Sequence, residues 1–388
     1  MNAASAPPAD PIAAVVHPDP YPYYADLRAG PPLVFHPALK LWVASRADVV
    51  AQALSHPALR VRPPAEPVPR AIAGAPAGEV FARLVRMNDG PLHARHRPVL
   101  QRALAGIDLR AAHDAVRHAA RRVGPMAPDD AMFVLPLGAL ATLLGFADED
   151  LADIAAEARA FVACLSPLAT QRQLDAASAS AQALRGRFAA LPTSARARRP
   201  GNLLDAVLAE AGAAGATDAD VLRANLVGLF SQTCESTAGL FGQSVVALAR
   251  DPQLAGAASE RRNGFSLLVQ EVARHDAPVQ NTRRFAAQPC RVAGVDLQVG
   301  DGLLLVLGAA NRDAALNPEP ETFRLERVER RMLGFGRGKH GCPGQALAFA
   351  LAGAGVQVLL ERGLDTAALA DAGWRYRPSV NGRMPAFD

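Results

Sequence analysis

The sequence predicts a mainly α-helical protein with small β-sheets, folded as a single large domain. Apolar residues recur at the 3.6-residue period of amphipathic helices through most of residues 110–260. On either side, short stretches alternate between apolar and polar residues and end in turn residues, which is typical of small hairpins. The 388 residues contain no internal repeat and no clear linker, which favours one large domain over several small ones.

The predicted elements follow one another along the chain. Residues 1–20 are rich in proline and alanine and predict a flexible arm, so the folded domain is expected over residues 21–388. Before the helical centre, the patterns predict a short helix at 21–30, a hairpin at 33–45, a helix at 46–55, a proline-rich surface loop at 62–77 and a helix from about Leu92. After it, they predict a hairpin across Gly300–Asp301, a last helix after Cys342 and a C-terminal hairpin turning at Asn381–Gly382.

The composition argues against several classes of protein. The net charge is only +4, and just two of the 41 basic residues are lysines, so the arginine excess is not in itself a nucleic-acid footprint. An arginine cluster at 196–199 lacks interleaved aromatic residues and is expected to be a solvated loop. There is no run of 18 apolar residues and no signal pattern, which argues against a membrane span. Four cysteines without metal-type spacing indicate a reducing, cytoplasmic setting.

The most informative stretch surrounds Cys342, just before a long apolar helix. Pro343 suits the first helical turn, and a thiolate there is expected to have a lowered pKa because it lies at the positive end of the helix. Nearby glycines would let the backbone approach a flat, bulky cofactor closely. A structural cysteine is the alternative. A zinc site using His340 lacks further ligands, and no phosphate-binding loop is present.

Residues 335–344, read as FGRGKHGCPG, resemble the haem-binding loop of the cytochrome P450 family, F-G-x-G-x-H-x-C-x-G. The resemblance implies a haem b whose iron takes the Cys342 thiolate as its axial ligand. It also implies that the cofactor is bound by the other residues of the pattern, which are Phe335, Gly336, Gly338, His340 and Gly344.

Three basic side chains are implied to bind the haem propionates. The stretch NDGPLHARHRPVL resembles the family's D-x-x-x-H-x-x-x-R helix, which assigns His93 and Arg97 to one propionate. Arg284 matches the family's arginine about ten residues after E-x-x-R, with Arg283 as the fallback. Guanidinium groups suit this role because they pair with carboxylates in a bidentate way.

The chain also carries the family's E-x-x-R as Glu271 to Arg274, with one departure from the pattern. The family's P-x-R-F motif supplies an arginine that locks this pair. Here Thr322 stands in the place of that arginine. Arg324 or Arg327 is expected to substitute, or else the pair stands alone. This departure is expected to affect the stability of the structure around Glu271 and Arg274 more than the chemistry of the reaction.

A distal helix is predicted over the stretch NLVGLFSQTCESTAGLFGQSVVALARDP. The family's pattern there, A-G-x-[DE]-T, places Glu235 at the acid and Ser236 at the alcohol, with Thr237 next, and these groups are implied to deliver protons. Gln232 and Thr233 take the places of the small alanine and glycine. Either they contact the substrate or dioxygen and alter the outcome, or Gln232 turns away and the helix kinks elsewhere, for instance at residue 228.

The resemblance implies a monooxygenase that activates dioxygen and oxidises a small organic substrate, in natural-product or secondary metabolism. No reductase domain or membrane anchor is recognisable, so electrons from NAD(P)H are expected through a separate ferredoxin and ferredoxin reductase. The alternatives are a peroxide-using enzyme, a coupling or cyclising oxidase, and a non-catalytic haem-binding sensor. The expected specificity segments, 62–81, 279–282, 380–381 and the distal helix centre, suggest a neutral or amphipathic substrate.

Overall fold

The structure is a computed structural model that describes residues 6–191 and 202–387. Its helices are α1 (Tyr21–Ala29), α2 (Ala47–Ser55), α3 (Pro76–Arg83), α4 (Pro91–Ala105), α5 (Leu109–Val123), α6 (Pro128–Leu144), α7 (Leu151–Val162), α8 (Gln171–Ala190), α9 (Leu203–Ala213), α10 (Ala219–Gln232), α11 (Ala238–Arg250), α12 (Gln253–Ser259), α13 (Gly264–His275), α14 (Leu307–Asn311), α15 (Gln345–Glu361) and α16 (Thr366–Ala372). Its strands are β1 (Val34–His36), β2 (Leu41–Ala44), β3 (Leu59–Arg60), β4 (Thr282–Ala286), β5 (Cys290–Val292), β6 (Val295–Leu297), β7 (Gly302–Leu305), β8 (Trp374–Tyr376) and β9 (Pro385–Phe387). The prediction of a mainly helical protein with small sheets is confirmed.

The chain forms two compact units. The sheet unit comprises Met1–Ala65, Gly239–Cys342 and Asp365–Asp388, and the helical unit comprises Glu66–Ala238 and Pro343–Leu364.

A five-stranded sheet organises the sheet unit, in the order β1-β2-β7-β4-β3. Strand β7 is buried on both faces. Leu303 and Leu305 pack in one apolar cluster with Val50 of α2, while Leu304 packs in a second cluster with Tyr24 of α1. The alternation of side chains along a strand explains why consecutive leucines serve different clusters. Strand β4, which carries the predicted propionate arginine, is thereby fixed beside β7.

Helix α15 lies in the core of the helical unit and packs against α5 and α6. It is apolar all round, which is typical of a buried helix. By length and composition, Gly338–Glu361 is the one helix among the described residues that could cross a membrane, but 61% of its most apolar window is buried inside the protein. Its C-terminal Glu361 forms a bidentate ion pair with Arg117 of α5.

The predicted hairpin across Gly300–Asp301 is wrong in its pairing. Strand β6 pairs with β5, through a tight turn at Ala293 and Gly294, and β7 joins the five-stranded sheet instead. Gly300 has a φ of +93° and does turn the chain, but it turns it from one sheet into another. The β5–β6 turn escaped prediction because alanine seldom occupies its positive-φ position, here with φ +46°.

The C-terminal predictions need two corrections. Helix α15 does follow Cys342, but it is not the last helix, because α16 comes after it. The C-terminal hairpin exists as β8 and β9, yet neither Asn381 nor Gly382 has a positive φ, so they do not form the tight turn that their sequence suggests. Instead Gly382 donates its N–H to Ser379 Oγ at 2.9 Å and pairs with Val279.

The expected N-terminal arm is anchored along much of its length. A 3-10 helix, Ala13–Val16, buries Ala14 and Val15, and the expectation of a flexible arm does not describe this part. Residues 1–5 lie outside the described residues, as does almost all of the arginine-rich loop predicted at 191–202.

Candidate functional site

The turn before α15 holds Cys342 by backbone geometry. The N–H of Cys342 donates to Phe335 O at 2.7 Å, and the N–H of Gly336 donates to Leu333 O at 2.8 Å. Gly336 and Gly338 have φ of +71° and +66°, a region that other residues rarely adopt. The two glycines are therefore needed for the turn itself.

The surroundings of these glycines differ. A Cβ on Gly338 would lie 3.3 Å from Ser55 Oγ of α2, and a Cβ on Gly336 would lie 3.1 Å from the His340 carbonyl oxygen. Gly344, by contrast, would place a Cβ in open space. Glycine at 336 and 338 shapes the turn and its packing on α2, whereas the space beside Gly344 is open to a group outside the protein.

The four cysteines occupy different environments. Cys342 is exposed, whereas Cys164 and Cys234 are buried and Cys290 is half-buried. Burial raises the pKa of both the Cys164 and the Cys234 thiols to about 12. Because a thiolate is the form that ligates metals, the buried pair is chemically inert. Cys342 is the cysteine best placed to meet a cofactor.

Helix α4 carries two of the predicted propionate ligands, four residues apart on one face. His93 is buried, with 7% exposure, and Arg97 is half-buried. Both belong to the helical unit.

Strand β4 distinguishes Arg284 from its neighbour Arg283. Arg284 is 5% exposed and donates to the Arg283 carbonyl oxygen at 2.8 Å, while the Arg283 side chain faces solvent. Opposite faces of one strand produce this difference. The buried side chain supports Arg284 over the fallback. Arg284 and Cys342 belong to the sheet unit.

Glu271 and Arg274 form a wholly buried ion pair on α13, with 0% exposure on each side chain. Arg274 donates to Glu271 Oε1 at 2.7 Å and to the carbonyl oxygens of Pro320 and Thr322. Thr322, which replaces the family's arginine, thus contributes its backbone. The pair fastens α13 to the loop that follows residue 317.

Two further arginines complete this buried cluster. Arg327 Nε lies 3.2 Å from Glu271 Oε1, and Arg330 Nε lies 2.9 Å from Glu271 Oε2. Arg324 contributes only its backbone N–H, at 3.1 Å. Burial alone would raise the pKa of the Glu271 carboxyl, but hydrogen bonds from Arg274 and Arg330 hold it below its ordinary value. Of the two expected substitutes, Arg327 supplies its side chain, and Arg330 was not predicted.

The distal stretch forms a π turn, Thr233–Thr237, between α10 and α11. It contains Glu235 and Ser236, both half-buried, and Thr237, which is buried. Turns of this kind widen a helix locally and are frequent at functional sites. The irregularity therefore lies at the acid and alcohol, not at the earlier glycine.

Gln232 is turned back onto its own helix. Its Nε2 donates to the Gly228 carbonyl oxygen at 2.9 Å, and Ser231 Oγ donates to the same oxygen. Gly228 itself packs tightly, because a Cβ there would lie 2.7 Å from Leu84 Cδ2. Thr233, the other predicted substitution, is buried at the start of the π turn.

Comparison with known proteins shows which family the chain resembles. A family profile described as Cytochrome P450 matches residues 266–362. Cytochrome P450 144 of Mycobacterium tuberculosis is 29% identical over 372 residues, covering 92% of this chain and 85% of the relative. The biotin biosynthesis cytochrome P450 of Bacillus subtilis is 35% identical over 144 residues, covering 37% of this chain and 36% of the relative. The structure of P450BioI superposes with a TM-score of 0.78 at 24% identity, covering 94% of this chain and 96% of that one.

The chain belongs to the cytochrome P450 family.

The P450 is an oxidoreductase that incorporates oxygen into its substrate. It uses haem b and dioxygen, with NAD(P)H supplying electrons through redox partners. Bound haem supplies a thiolate-ligated iron at which dioxygen is activated. The single-domain, mainly helical fold class predicted from the sequence is that of the P450s.

The residues present fit such a cofactor. The donor chemistry is suitable, since an exposed thiol stands on a glycine-shaped turn with open space beside Gly344. His93 and Arg97 of the helical unit and Arg284 of the sheet unit are buried or half-buried basic side chains, the type of group that carboxylates bind. The turn carries Phe335, Gly336, Gly338, His340 and Cys342. The π turn carries Thr233, Glu235, Ser236 and Thr237, and Gln232 directly precedes it.

Sequence reasoning missed two arginines in this P450. Arg330 completes the Glu271 cluster. Arg86 lies in a short 3-10 helix, Val85–Met87, and interacts electrostatically with Glu235. Neither belongs to a recognisable pattern, and in a chain so rich in arginine no local signal distinguishes a buried guanidinium from a surface one.

Proposed function

We propose that Cys342 is the axial ligand of the haem iron and that His93, Arg97 and Arg284 bind the propionates. One observation carries this assignment. Cys342 is the exposed cysteine, held on a turn that requires glycine at positions 336 and 338. The protein's part is to hold the sulfur at the start of α15, where the helix dipole favours the thiolate.

A carbon monoxide difference spectrum of the reduced protein tests the assignment. We expect C342S to lose the thiolate-type band completely, because serine does not provide a thiolate. C290S is the matched control, since Cys290 is half-buried on β5, and it is expected to retain the band. A thiolate-type spectrum that persists in C342S, with circular dichroism unchanged, would refute the proposed ligand.

The distal residues are proposed to handle protons. Glu235 and Ser236 share the π turn, with Thr237 beside them, and an acid next to two alcohols can relay a proton from solvent to bound dioxygen. The Gln232 amide N–H already donates to a carbonyl oxygen of its own helix. This supports ordinary oxygen insertion into the substrate over a coupling or ring-closing reaction. The mass of the product distinguishes insertion from coupling or ring closure.

The proposed substrate is a small organic molecule of natural-product metabolism. A relative 36% identical over 146 residues is the 20-oxo-5-O-mycaminosyltylactone 23-monooxygenase of Streptomyces fradiae, and P450 RauA, a structural neighbour, is complexed with a biosynthetic intermediate of aurachin RE. A ferredoxin and a ferredoxin reductase are the proposed electron donors. The exposed Arg337 and Lys339, beside the cysteine turn, suit an acidic partner in the cytoplasm.

A further inference from the structure

A half-buried arginine of the helical unit interacts with the π turn. Arg86 is half-buried, and its Nε atom is sequestered from solvent with no hydrogen-bond partner among residues 6–191 and 202–387. Its guanidinium interacts electrostatically with Glu235 and with the Cys164 thiol. The side chain therefore lies near the acid that we propose to handle protons.

The backbone that carries Arg86 is fixed to helix α10. The N–H of Val85 donates to Asn225 Oδ1 at 2.8 Å, and Asn225 Nδ2 donates in turn to Arg83 O at 3.0 Å. Leu84 packs against Gly228 of the same helix, too closely for any side chain there. Asn88 Nδ2 donates to the Leu84 carbonyl oxygen at 2.8 Å and closes the turn from the other side. Such fixed backbone limits where the Arg86 side chain can go.

The charge of Arg86 has weak compensation within the protein. No carboxylate of the described residues lies within ion-pair distance of its guanidinium. Burial raises the pKa of the Glu235 carboxyl above its ordinary value and that of the Cys164 thiol to about 12, which disfavours the anionic form of both groups. An arginine side chain does not lose its proton in proteins, and a guanidinium partly removed from water without a counter-ion is unfavourable. A ligand with an anionic group would supply the missing counter-ion of Arg86.

We propose that Arg86 determines substrate specificity by binding an anionic oxygen group, a carboxylate or a phosphate, on the substrate. The inference rests on the proposed function, because Arg86 is tied to the distal residues through its interaction with Glu235, which we propose to handle protons. It changes the expected substrate from neutral or amphipathic to one with an acidic end. Planar guanidinium groups bind both anions in a bidentate way, so the chemistry is shared between them.

Calorimetric titration of the holoenzyme with three matched probes tests the proposal. Octanoate, monooctyl phosphate and 1-octanol share one alkyl chain and differ in the head group. We expect wild type to bind at least one anion about tenfold more tightly than 1-octanol or better, as for a charge-assisted contact of about 1.4 kcal/mol. Whichever anion binds more tightly identifies the head group. The enzyme binding neither anion, or binding 1-octanol as tightly, would overturn the proposal.

Two variants of Arg86 and one control test whether this residue causes the preference for anions. R86Q is expected to remove the preference for the anion, and R86K to retain part of it. R172Q removes an exposed charge from α8 of the same unit and is expected to change nothing. An anion preference that survives in R86Q overturns the proposal. The wild-type titration decides the matter even if both Arg86 variants fail to fold. A thiolate-type carbon monoxide spectrum in R86Q distinguishes failure of this inference from failure of the haem assignment.

Discussion

At the scale of single residues, Glu235 shows how its surroundings change a side chain. It is half-buried in the π turn, and burial raises the pKa of its carboxyl above the ordinary 4.5, with the charge of Arg86 acting in the opposite direction. A proton donor for oxygen chemistry near neutral pH needs a raised pKa of this kind. The same burial makes the ionised carboxyl a cost to the folded state.

We expect E235Q to be more stable than wild type above about pH 4.5. Between that pH and the raised pKa, the folded protein binds more protons than the unfolded chain, so the wild-type free energy of unfolding falls as pH rises. Glutamine cannot ionise, so the difference between the two proteins grows over this window and is constant above it. Urea unfolding at a series of pH values measures the difference, with the exposed Glu149→Gln as the control. A difference that shrinks as pH rises would contradict the argument.

The sequence supported residue-scale predictions only where a residue belonged to a pattern. Cys342 could be singled out because ten consecutive positions constrain it, and the structure places it as the exposed cysteine on its turn. Arg86 could not, because its position depends on contacts of its neighbours Val85 and Leu84 with Asn225 and Gly228, which are distant in sequence. Whether a guanidinium is buried is a tertiary property.

At the scale of elements, the Glu271 cluster fastens α13 to the loop after residue 317. The departure at Thr322 left two arginines as expected substitutes, and the structure uses them differently. Arg327 reaches Glu271 with its side chain, whereas Arg324 gives only its N–H and directs its side chain to Glu319. Side-chain reach from an irregular loop depends on the path of the backbone, which the sequence does not specify.

We expect R330A to lower the free energy of unfolding by about 2–4 kcal/mol, because it leaves part of a buried carboxylate without its donor. R324A, the matched control in the same loop, is expected to cost less than about 0.5 kcal/mol, since its side chain is half exposed and its backbone contact persists. Denaturant unfolding of both variants gives the comparison. Equal losses in the two would show that Arg330 has no special part in the cluster.

The secondary structure near the site followed from local pattern, but its pairing did not. Helix α4 begins at Pro91, one residue from the expected start, and the hairpin of β1 and β2 has the predicted strands. The partner of β6 was wrong, because its short hairpin with β5 turns at Ala293, a residue that seldom has a positive φ, while β7 pairs with the distant β2, which leaves no mark in a local alternation. The π turn was likewise beyond prediction, since an extra residue in a helix changes no periodicity that a short window detects.

At the scale of the whole molecule, composition indicated the class and a single motif indicated the family. A chain with 50% hydrophobic residues and no clear linker is consistent with one large fold, and the P450 resemblance accounts for its length. Composition failed at the N-terminus. Proline and alanine there predicted a loose arm, yet Asp10 caps the 3-10 helix through the N–H groups of Ile12 and Ala13.

The anchored N-terminal segment is expected to stabilise the sheet unit through Arg383. This guanidinium is wholly buried and donates to the carbonyl oxygens of Val15, His17 and Pro18, at 3.1, 2.6 and 2.9 Å, while its Nε binds Asp276. Carbonyl groups from the N-terminal segment therefore solvate a charge that no water reaches. Losing them exposes that charge and its partner together.

Deleting residues 1–20 is accordingly expected to lower the free energy of unfolding by at least about 3 kcal/mol, since each hydrogen bond to a buried charge contributes roughly 1.5–3 kcal/mol. Deleting residues 1–9 is the control. It keeps Asp10 and the acceptors at residues 15, 17 and 18, and among the described residues it removes an exposed hydrogen bond from His17 to Ala6, so little change is expected. Urea unfolding of the two truncated proteins measures the difference. If both deletions cost the same, the carbonyl groups of the segment do not stabilise the charge of Arg383.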